Sequence, residues 1–313
     1  MLASRDYRPV DGVASFWGMT QVSPVAVVTG ANSGIGRATA IHLAARGHDV
    51  YGTVRSKDRA AKLAAMSTER GVEVKLVELD VADDASVRRG FDEILERAGH
   101  VDVLVNNAGV AGNGVTEETT SADYLDVMNV NLCGVVRCTQ AVLPQMRQRR
   151  SGAIVNITSI AGRVAALAQS PYVASKWALE GLSEGLAQEV APFGIRVVIV
   201  EPGVTKSAIF AKTVDTPNAS GAYDDHYRRM FQMYATGIAN ATDPFEVAEV
   251  IHHAVTVDRP ELRYRTSWGG DDLVRGRERM TDADWVSLGT AADDDEYYAR
   301  FEALFGLDIR PAD

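Results

Sequence analysis

The chain predicts a doubly wound α/β fold, a parallel sheet of about seven strands with helices on both faces of a single domain. Three observations carry this. From Val25 onward, short runs rich in Val, Ile and Leu alternate with longer segments of helical period, as βαβ units require. The runs VDVLVN (101–106) and RVVIV (196–200) are almost without polar interruption, which suits strands covered on both faces. The stretch TGANSGIG, Thr29 to Gly36, sets glycines where the first apolar run turns into a helical segment.

In chain order, strands are expected near 25–29, 48–54, 72–79, 101–106, 152–158, 195–201 and 262–267. Helices are expected near 34–46, 56–69, 83–98, 121–150, 171–191 and 244–257. The basic run RQRR, 147–150, falls where the fourth of these helices ends, and the helix dipole favours cations there. Residues 203–243 interrupt the alternation and are too long for an ordinary connection, as a lid over a substrate would be. Within them Tyr223, Tyr227, Met230 and Tyr234 fall at i, i+4, i+7 and i+11, giving one aromatic and thioether face. That face suits packing on the core and equally an apolar wall over a substrate. In the tail, the acidic run Asp293–Glu296 precedes YYARFEALFG, which reads as a solvated cap on a short helix. The expected organisation is a polar N-terminal extension over 1–23, with Met19 as an alternative start, a catalytic domain over 24–267 and a C-terminal extension over 268–313.

Composition narrows the function. The net charge of −10 repels phosphate backbones and anionic membranes, so no nucleic-acid partner is expected. No apolar run is long enough to span a membrane, and no signal peptide is recognised. Cys133 and Cys138 lie five apart on one helix, point to different faces and read as buried structural thiols in a reducing, cytoplasmic setting. The histidines show no metal-ligand spacing, so no metal is expected.

The glycines follow the pattern G-x-x-x-G-x-G, with Gly30, Gly34 and Gly36. At the first βα turn, helix N-terminal amides can hold a pyrophosphate that glycines allow to approach closely. Gly30, Asn32, Ser33, Gly34, Ile35 and Gly36 are therefore candidates for a dinucleotide site in a Rossmann-like fold. An acid at the end of the second strand would bond a ribose 2′-hydroxyl, but Asp49 is at the wrong end, and Arg55, with Lys57 and Arg59 near it, stands in that place. NADP(H) is the expected cofactor and NAD(H) the alternative.

In YVASK, Tyr172 and Lys176 share one helical face. A free phenol has a pKa near ~10, too high for proton exchange at neutral pH, and a neighbouring ammonium favours the phenolate. Ser159 follows the fifth strand at the sheet edge where ligands bind, placed to donate to an oxygen that gains negative charge.

These residues, with LDV (79–81), NNAG (106–109), NVNLCG (129–134), TSIAG (158–162) and EPG (201–203), resemble the short-chain dehydrogenase/reductase family over about residues 24–260. The resemblance implies a tetrad. Tyr172 would exchange the proton with the substrate oxygen, Lys176 would lower its pKa and hold the nicotinamide ribose, Ser159 would polarise the carbonyl, and Asn131 would anchor a relay water. It also implies Asp80 and Val81 near adenine, Asn106 near the adenosine ribose, Ala108 and Gly109 along the cofactor, and Pro202 and Gly203 beside the nicotinamide. Thr205 or Ser207 would supply the hydroxyl that follows. Ser33 stands where many NADP-preferring relatives carry a basic residue. Chain length and the long 203–243 segment resemble the hydroxysteroid and retinal dehydrogenase branch, with a lipophilic carbonyl or alcohol as substrate. A reductase of a polar or acyl carbonyl and a catalytically silent dinucleotide sensor are the alternatives. In the resembled family, the helices of 121–150 and 171–191 are association faces, implying a homodimer or homotetramer.

Overall fold

The computed structural model describes residues 23–207 and 217–311. Residues 1–22 of the expected N-terminal extension, and 208–216 of the expected lid, lie outside these described residues.

Seven parallel strands form one sheet: β1 (Val25–Val28), β2 (Asp49–Val54), β3 (Lys75–Glu78), β4 (Val103–Asn106), β5 (Gly152–Ile157), β6 (Ile195–Pro202) and β7 (Arg263–Thr266). Their order is β3-β2-β1-β4-β5-β6-β7, so the winding reverses between β1 and β4. Successive strand residues point to opposite faces, and both faces are apolar. Val25 and Val27 pack with Leu104, Ile154, Phe91, Val142 and Met146 on one side. Ala26 and Val28 pack with Val105, Val155, Ile41, Leu63 and Ile251 on the other. The first face carries helices α3 (Asp84–Ala98), α5 (Gly134–Arg149) and α6 (Ser170–Val190), and the second carries α1 (Gly34–Ala45), α2 (Ala61–Glu69) and α8 (Pro244–Thr256).

Local chemistry sets the helix ends. The Asp83 carboxylate accepts the N–H of Ser86 at the start of α3, and Gly99 ends it in the left-handed region at φ 78°. Asp243 caps α8, whose first residue is Pro244.

The single helix expected over 121–150 is two helices. α4 (Ser121–Met128), opened by a Thr120/Asp123 capping box, passes into a π-turn over Asn129–Cys133 before α5 begins. The π-turn widens the helix locally, and Asn131 within it is 1% exposed. This register also separates the thiols. Cys138 is buried, as expected, but Cys133 is exposed, correcting its assignment to the core.

The tail is more than a solvated cap. Asp293 does cap α11 (Asp294–Phe305). Beyond that, Tyr297, Tyr298, Phe301 and Phe305 are buried against Leu273 and Val274 of α9 (Gly270–Arg279), Leu288 of α10 (Asp282–Leu288), and Ile160 and Val164 after β5. A methyl at Gly276 would stand 2.4 Å from Phe305 Cδ1, so α9 and α11 touch almost backbone to ring. With α7 (Asp224–Ala239), these helices stand over the C-terminal edge of the sheet.

Burial pushes the Cys138 thiol up to about 12, leaving almost no thiolate at neutral pH. Iodoacetamide at neutral pH should therefore label one thiol, Cys133, in the native protein and two after denaturation, counted by intact mass. Two rapid additions to the native chain would contradict this packing.

Candidate active site

A cleft of about 1140 Å³ opens at the C-terminal edge of the sheet, at the winding reversal where open α/β sheets bind ligands. Its floor begins at the first turn. Gly30 and Gly34 have φ of +67° and +50°, which side chains disfavour. Thr29 Oγ1 accepts the N–H groups of Asn107 (2.9 Å) and Ala108 (3.0 Å), while Asn107 Nδ2 donates to the Thr29 carbonyl (2.8 Å). This closeness leaves no room for Cβ atoms. One at Gly36 would stand 2.3 Å from Asn107 Nδ2 and 2.5 Å from the Gly30 carbonyl. Gly36 thus packs behind the cleft, whereas Gly30, Asn32, Ser33, Gly34 and Ile35 line it.

The start of α1 offers its amides to this space. Ser33 precedes the helix without capping it by its side chain, and its first turn holds no acid. Asn32 Oδ1 is buried with no hydrogen-bond partner. At the end of β2, Arg55, Ser56 and Arg59 line the cleft. Asp49 is at the other end, 2.7 Å from Lys75. Asp80 and Val81 line the far wall, where the Asp80 carboxylate accepts the N–H of Ala82 (3.0 Å). Positive-φ glycines, uncapped helix amides and arginines at the second strand fit a phosphorylated dinucleotide.

Asn106 is not brought to this wall. It is 2% exposed within the sheet and donates to Asn156 Oδ1 (2.9 Å) and Thr139 Oγ1 (3.2 Å). Asn107 lines the cleft next to Ala108 and Gly109. The sheet period explains the exchange: Asn106, the last residue of β4 and paired with Asn156 of β5, still points into the layer below.

At the cleft centre, Ser159 Oγ accepts the N–H of Ala161 (3.1 Å) and donates to the Pro202 carbonyl (3.5 Å), and both Ser159 and Tyr172 line the cleft. Lys176 Nζ donates to the Ile157 carbonyl (2.9 Å) and lies 5.7 Å from the Tyr172 ring centroid. Burial raises the Tyr172 pKa, and the Ser159 hydrogen bond pulls it down. Burial also lowers Lys176 to about 8, opposed by the Glu180 carboxylate. The Tyr172 shift thus runs opposite to the depression expected from its lysine, and desolvation is its main cause. Asn131 stays behind the wall: its Oδ1 accepts the Val110 N–H (2.8 Å), and its Nδ2 donates to the Val110 carbonyl (3.0 Å) and Ser175 Oγ (2.9 Å). It clamps the loop after β4 to α6.

Beyond the tyrosine the cleft becomes apolar. Pro202 and Gly203 line it, followed by Thr205, whose hydroxyl pairs with Ser267 Oγ (2.8 Å), and by Ser207, which sits against Gly34. Val164, Leu167, Met230, Met233, Tyr234, Leu273, Trp285 and Phe301 form the wall and roof. Of the aromatic face read from the sequence, Tyr223, Met230 and Tyr234 reach the cleft. Tyr227 lies behind it and donates to the Pro217 carbonyl. The contributions of α10 and α11 were missed, although the aromatic spacing of YYARFEALF was their signal. Arg229, 2% exposed, was also missed. It ties α7 to α11 through Asp294 Oδ1 (2.9 Å), and its guanidinium lies 4.8 Å from the Tyr297 ring centroid.

Comparison with known proteins agrees with this geometry. Residues 24–218 match the family model for short chain dehydrogenases. The 3-ketodihydrosphingosine reductase of Bacteroides thetaiotaomicron is 36% identical over 242 residues, which are 76% of this chain and 86% of that protein. A short-chain dehydrogenase from Streptomyces avermitilis superposes with a TM-score of 0.75 at 38% identity, covering 87% of this chain and all of that one. A variant of actinorhodin polyketide ketoreductase, solved with NADPH, gives a TM-score of 0.66 at 35% identity over 75% of this chain and 91% of that one. The chain belongs to the short-chain dehydrogenase family and is an oxidoreductase of the carbonyl/alcohol pair, whose fold binds a nicotinamide dinucleotide. The hydroxysteroid and retinal branch finds no support, because the relatives are ketoreductases and uncharacterised oxidoreductases. Among the described residues no helix is long and apolar enough to cross a membrane.

Two outcomes follow from the packing. The unfolded lysine keeps its proton to ~10.4, whereas folded Lys176 releases it near 8. Below pH 8 both states are protonated and the fold carries the desolvation cost; between about 8 and 10.4 only the unfolded chain holds the proton, so this group's contribution rises with pH. Lys176→Met should therefore gain on the order of 2 kcal/mol over wild type in urea unfolding at pH 7, and the gap should narrow by pH 10. A gap constant with pH would contradict the shift. Gly36→Ala should cost about 1–3 kcal/mol by the same assay, and an unchanged midpoint would refute the close approach of Asn107.

Proposed function

We propose that this protein is an NADPH-dependent ketoreductase acting on a ketone with an extended apolar body. The observation that carries the reading is the pairing of the Tyr172 and Ser159 hydroxyls on the cleft lining, with the buried Lys176 one helical turn on, set where the glycine-lined half of the cleft meets the half roofed by apolar side chains. Bound in the first half, the reduced nicotinamide supplies the hydride.

This chain's residues do the rest. Gly30, Asn32, Ser33, Gly34 and Ile35 would hold the pyrophosphate on the α1 amides, and Arg55 with Arg59 would pair with a ribose 2′-phosphate. Asp80, Val81, Ala108 and Gly109 would border the adenosine half. Lys176 would hold the nicotinamide ribose, and Pro202, Gly203, Thr205 and Ser207 would border the nicotinamide. Ser159 would donate to the ketone oxygen as charge develops there, and the Tyr172 hydroxyl would deliver its proton to that oxygen. The raised Tyr172 pKa keeps the phenol protonated, the form reduction needs. With its side-chain amide engaged on Val110 and Ser175, Asn131 would act as a positioning residue. The relay water expected of it would be held through its main-chain carbonyl. The roof of Leu273, Trp285 and Phe301 favours an apolar substrate body and excludes water.

Association into a homo-oligomer through α4 and α6 is also proposed, supported by Leu125 and Trp177 on those helices, which are large apolar side chains left exposed.

The test is NADPH oxidation with hexanophenone and a panel of related ketones, followed by absorbance. Tyr172→Phe should lower kcat by about 10²-fold or more while NADPH still binds. Arg55→Ala should raise KM for NADPH about tenfold and leave KM for NADH unchanged, since a charge-assisted contact contributes roughly 1.5 kcal/mol or more. Full activity in Tyr172→Phe, or a wild-type preference for NADH, would overturn the assignment.

A further inference from the structure

Behind Lys176 lies a buried cluster of charges that the reaction as described does not use. Glu180 follows Lys176 by one helical turn, so the two share a face of α6, and both are 5% exposed. Its Oε2 accepts from Arg263 Nε (3.0 Å), while Oε1 is buried with no hydrogen-bond partner. Arg263 also pairs with Glu184 and lies 3.2 Å from Glu201. Glu201, fully buried at the end of β6, further engages Arg163 (3.2 Å) and Arg265 (3.3 Å). Outside these pairs Arg163 and Arg265 reach Glu278, and Arg265 reaches Asp271, on α9.

The cluster is joined to the catalytic segments at three points. Arg163 closes the turn that begins at Ser159, Glu201 immediately precedes Pro202 and Gly203, and Glu180 extends from Lys176. Contact there is tight: a methyl at Gly162 would stand 2.9 Å from Glu180 Cγ and 3.0 Å from the Lys176 carbonyl. Burial and the Glu201 carboxylate raise the Glu180 pKa, and Arg263 pulls it down; ionised, a carboxylate one helical turn from a buried ammonium favours the charged lysine. Lys176 Nζ itself donates to the neutral Ile157 carbonyl, which adds no charge to hold its proton.

We infer that Glu180 is a positioning residue that keeps Lys176 charged and directed at the cleft, with Arg263 holding Glu180 ionised between Lys176 and Glu201. The inference rests on the reading of Lys176 as the group that holds the nicotinamide ribose. Without the carboxylate, Lys176 would lose its proton at lower pH, and NADPH affinity would fall earlier as pH rises.

The test is NADPH binding by fluorescence titration from pH 6 to 10, with wild type, Glu180→Gln and Glu180→Asp, alongside thermal melting of each. Wild type should weaken through an upper limb near pH 8, Glu180→Gln should show that limb about one unit lower, and Glu180→Asp should restore it. About fivefold weaker NADPH binding by Glu180→Gln than by wild type at pH 8 would accompany the shift. A Glu180→Gln limb coincident with wild type, or lowered melting with an unmoved limb, overturns the inference and leaves the reductase reading intact. A wild-type affinity flat across this range overturns the role of Lys176 and the inference with it. If Glu180→Gln fails to fold, Arg263→Met provides the second variant, with the limb again expected to move down.

Discussion

The joint between the first turn and the loop after β4 is the constraint on which the cleft depends. Thr29 and Asn107 bind each other's backbones reciprocally, so the two strands at the winding reversal are fastened at their C-terminal ends. That joint forces Gly30 and Gly36 to be glycine, because Cβ atoms there would fall inside Ala108 and Asn107. It also leaves the start of α1 facing open space. Asn131 extends the same fastening one layer outward, from Val110 to Ser175, and so ties the loop to the helix that carries Tyr172 and Lys176. The glycine turn and the helix that carries Tyr172 and Lys176 are thereby held to one frame.

Burial does the electrostatic work on that frame. It pushes the Tyr172 phenol up and the Lys176 ammonium down, and each shift favours the neutral form of its group. A phenol that stays protonated suits reduction, whereas a lysine that releases its proton near 8 needs a nearby counter-charge to stay an ammonium. The roof adds to the desolvation. It is made of helices distant in sequence, and its buried Arg229 is neutralised by Asp294 rather than exposed to the cleft as a lone charge.

Much of this was legible in the sequence. Alternating apolar runs gave every strand and most helices, because a parallel sheet covered on both faces leaves continuous Val and Ile stretches. Of the cofactor and catalytic residues read from motifs, Gly30, Arg55, Ser159, Tyr172 and Lys176 all line one cleft. Three features escaped. The π-turn at Asn129–Cys133 holds no Gly or Pro to mark it, and Cys133 at its end is exposed where a buried structural thiol was expected. Asn106 and Asn107 are adjacent and identical, and only the register of β4 decides which of them faces the cleft. The roof depends on where α9 to α11 return in space, a long-range contact that local periodicity cannot specify; the acidic start of α11 suggested solvent, while its aromatic face is buried.

A crystal structure with NADP⁺ and hexanophenone tests the division of the cleft most directly. The account predicts the adenosine end near Arg55 and the nicotinamide ring beside Pro202 and Gly203. The ketone oxygen should lie within hydrogen-bond reach of Tyr172 and Ser159, the ketone carbon about 3–3.5 Å from the hydride-accepting carbon, and the phenyl group under Trp285 and Phe301. A ketone bound outside the α7–α11 roof, or a nicotinamide ring directed away from Tyr172, would contradict it.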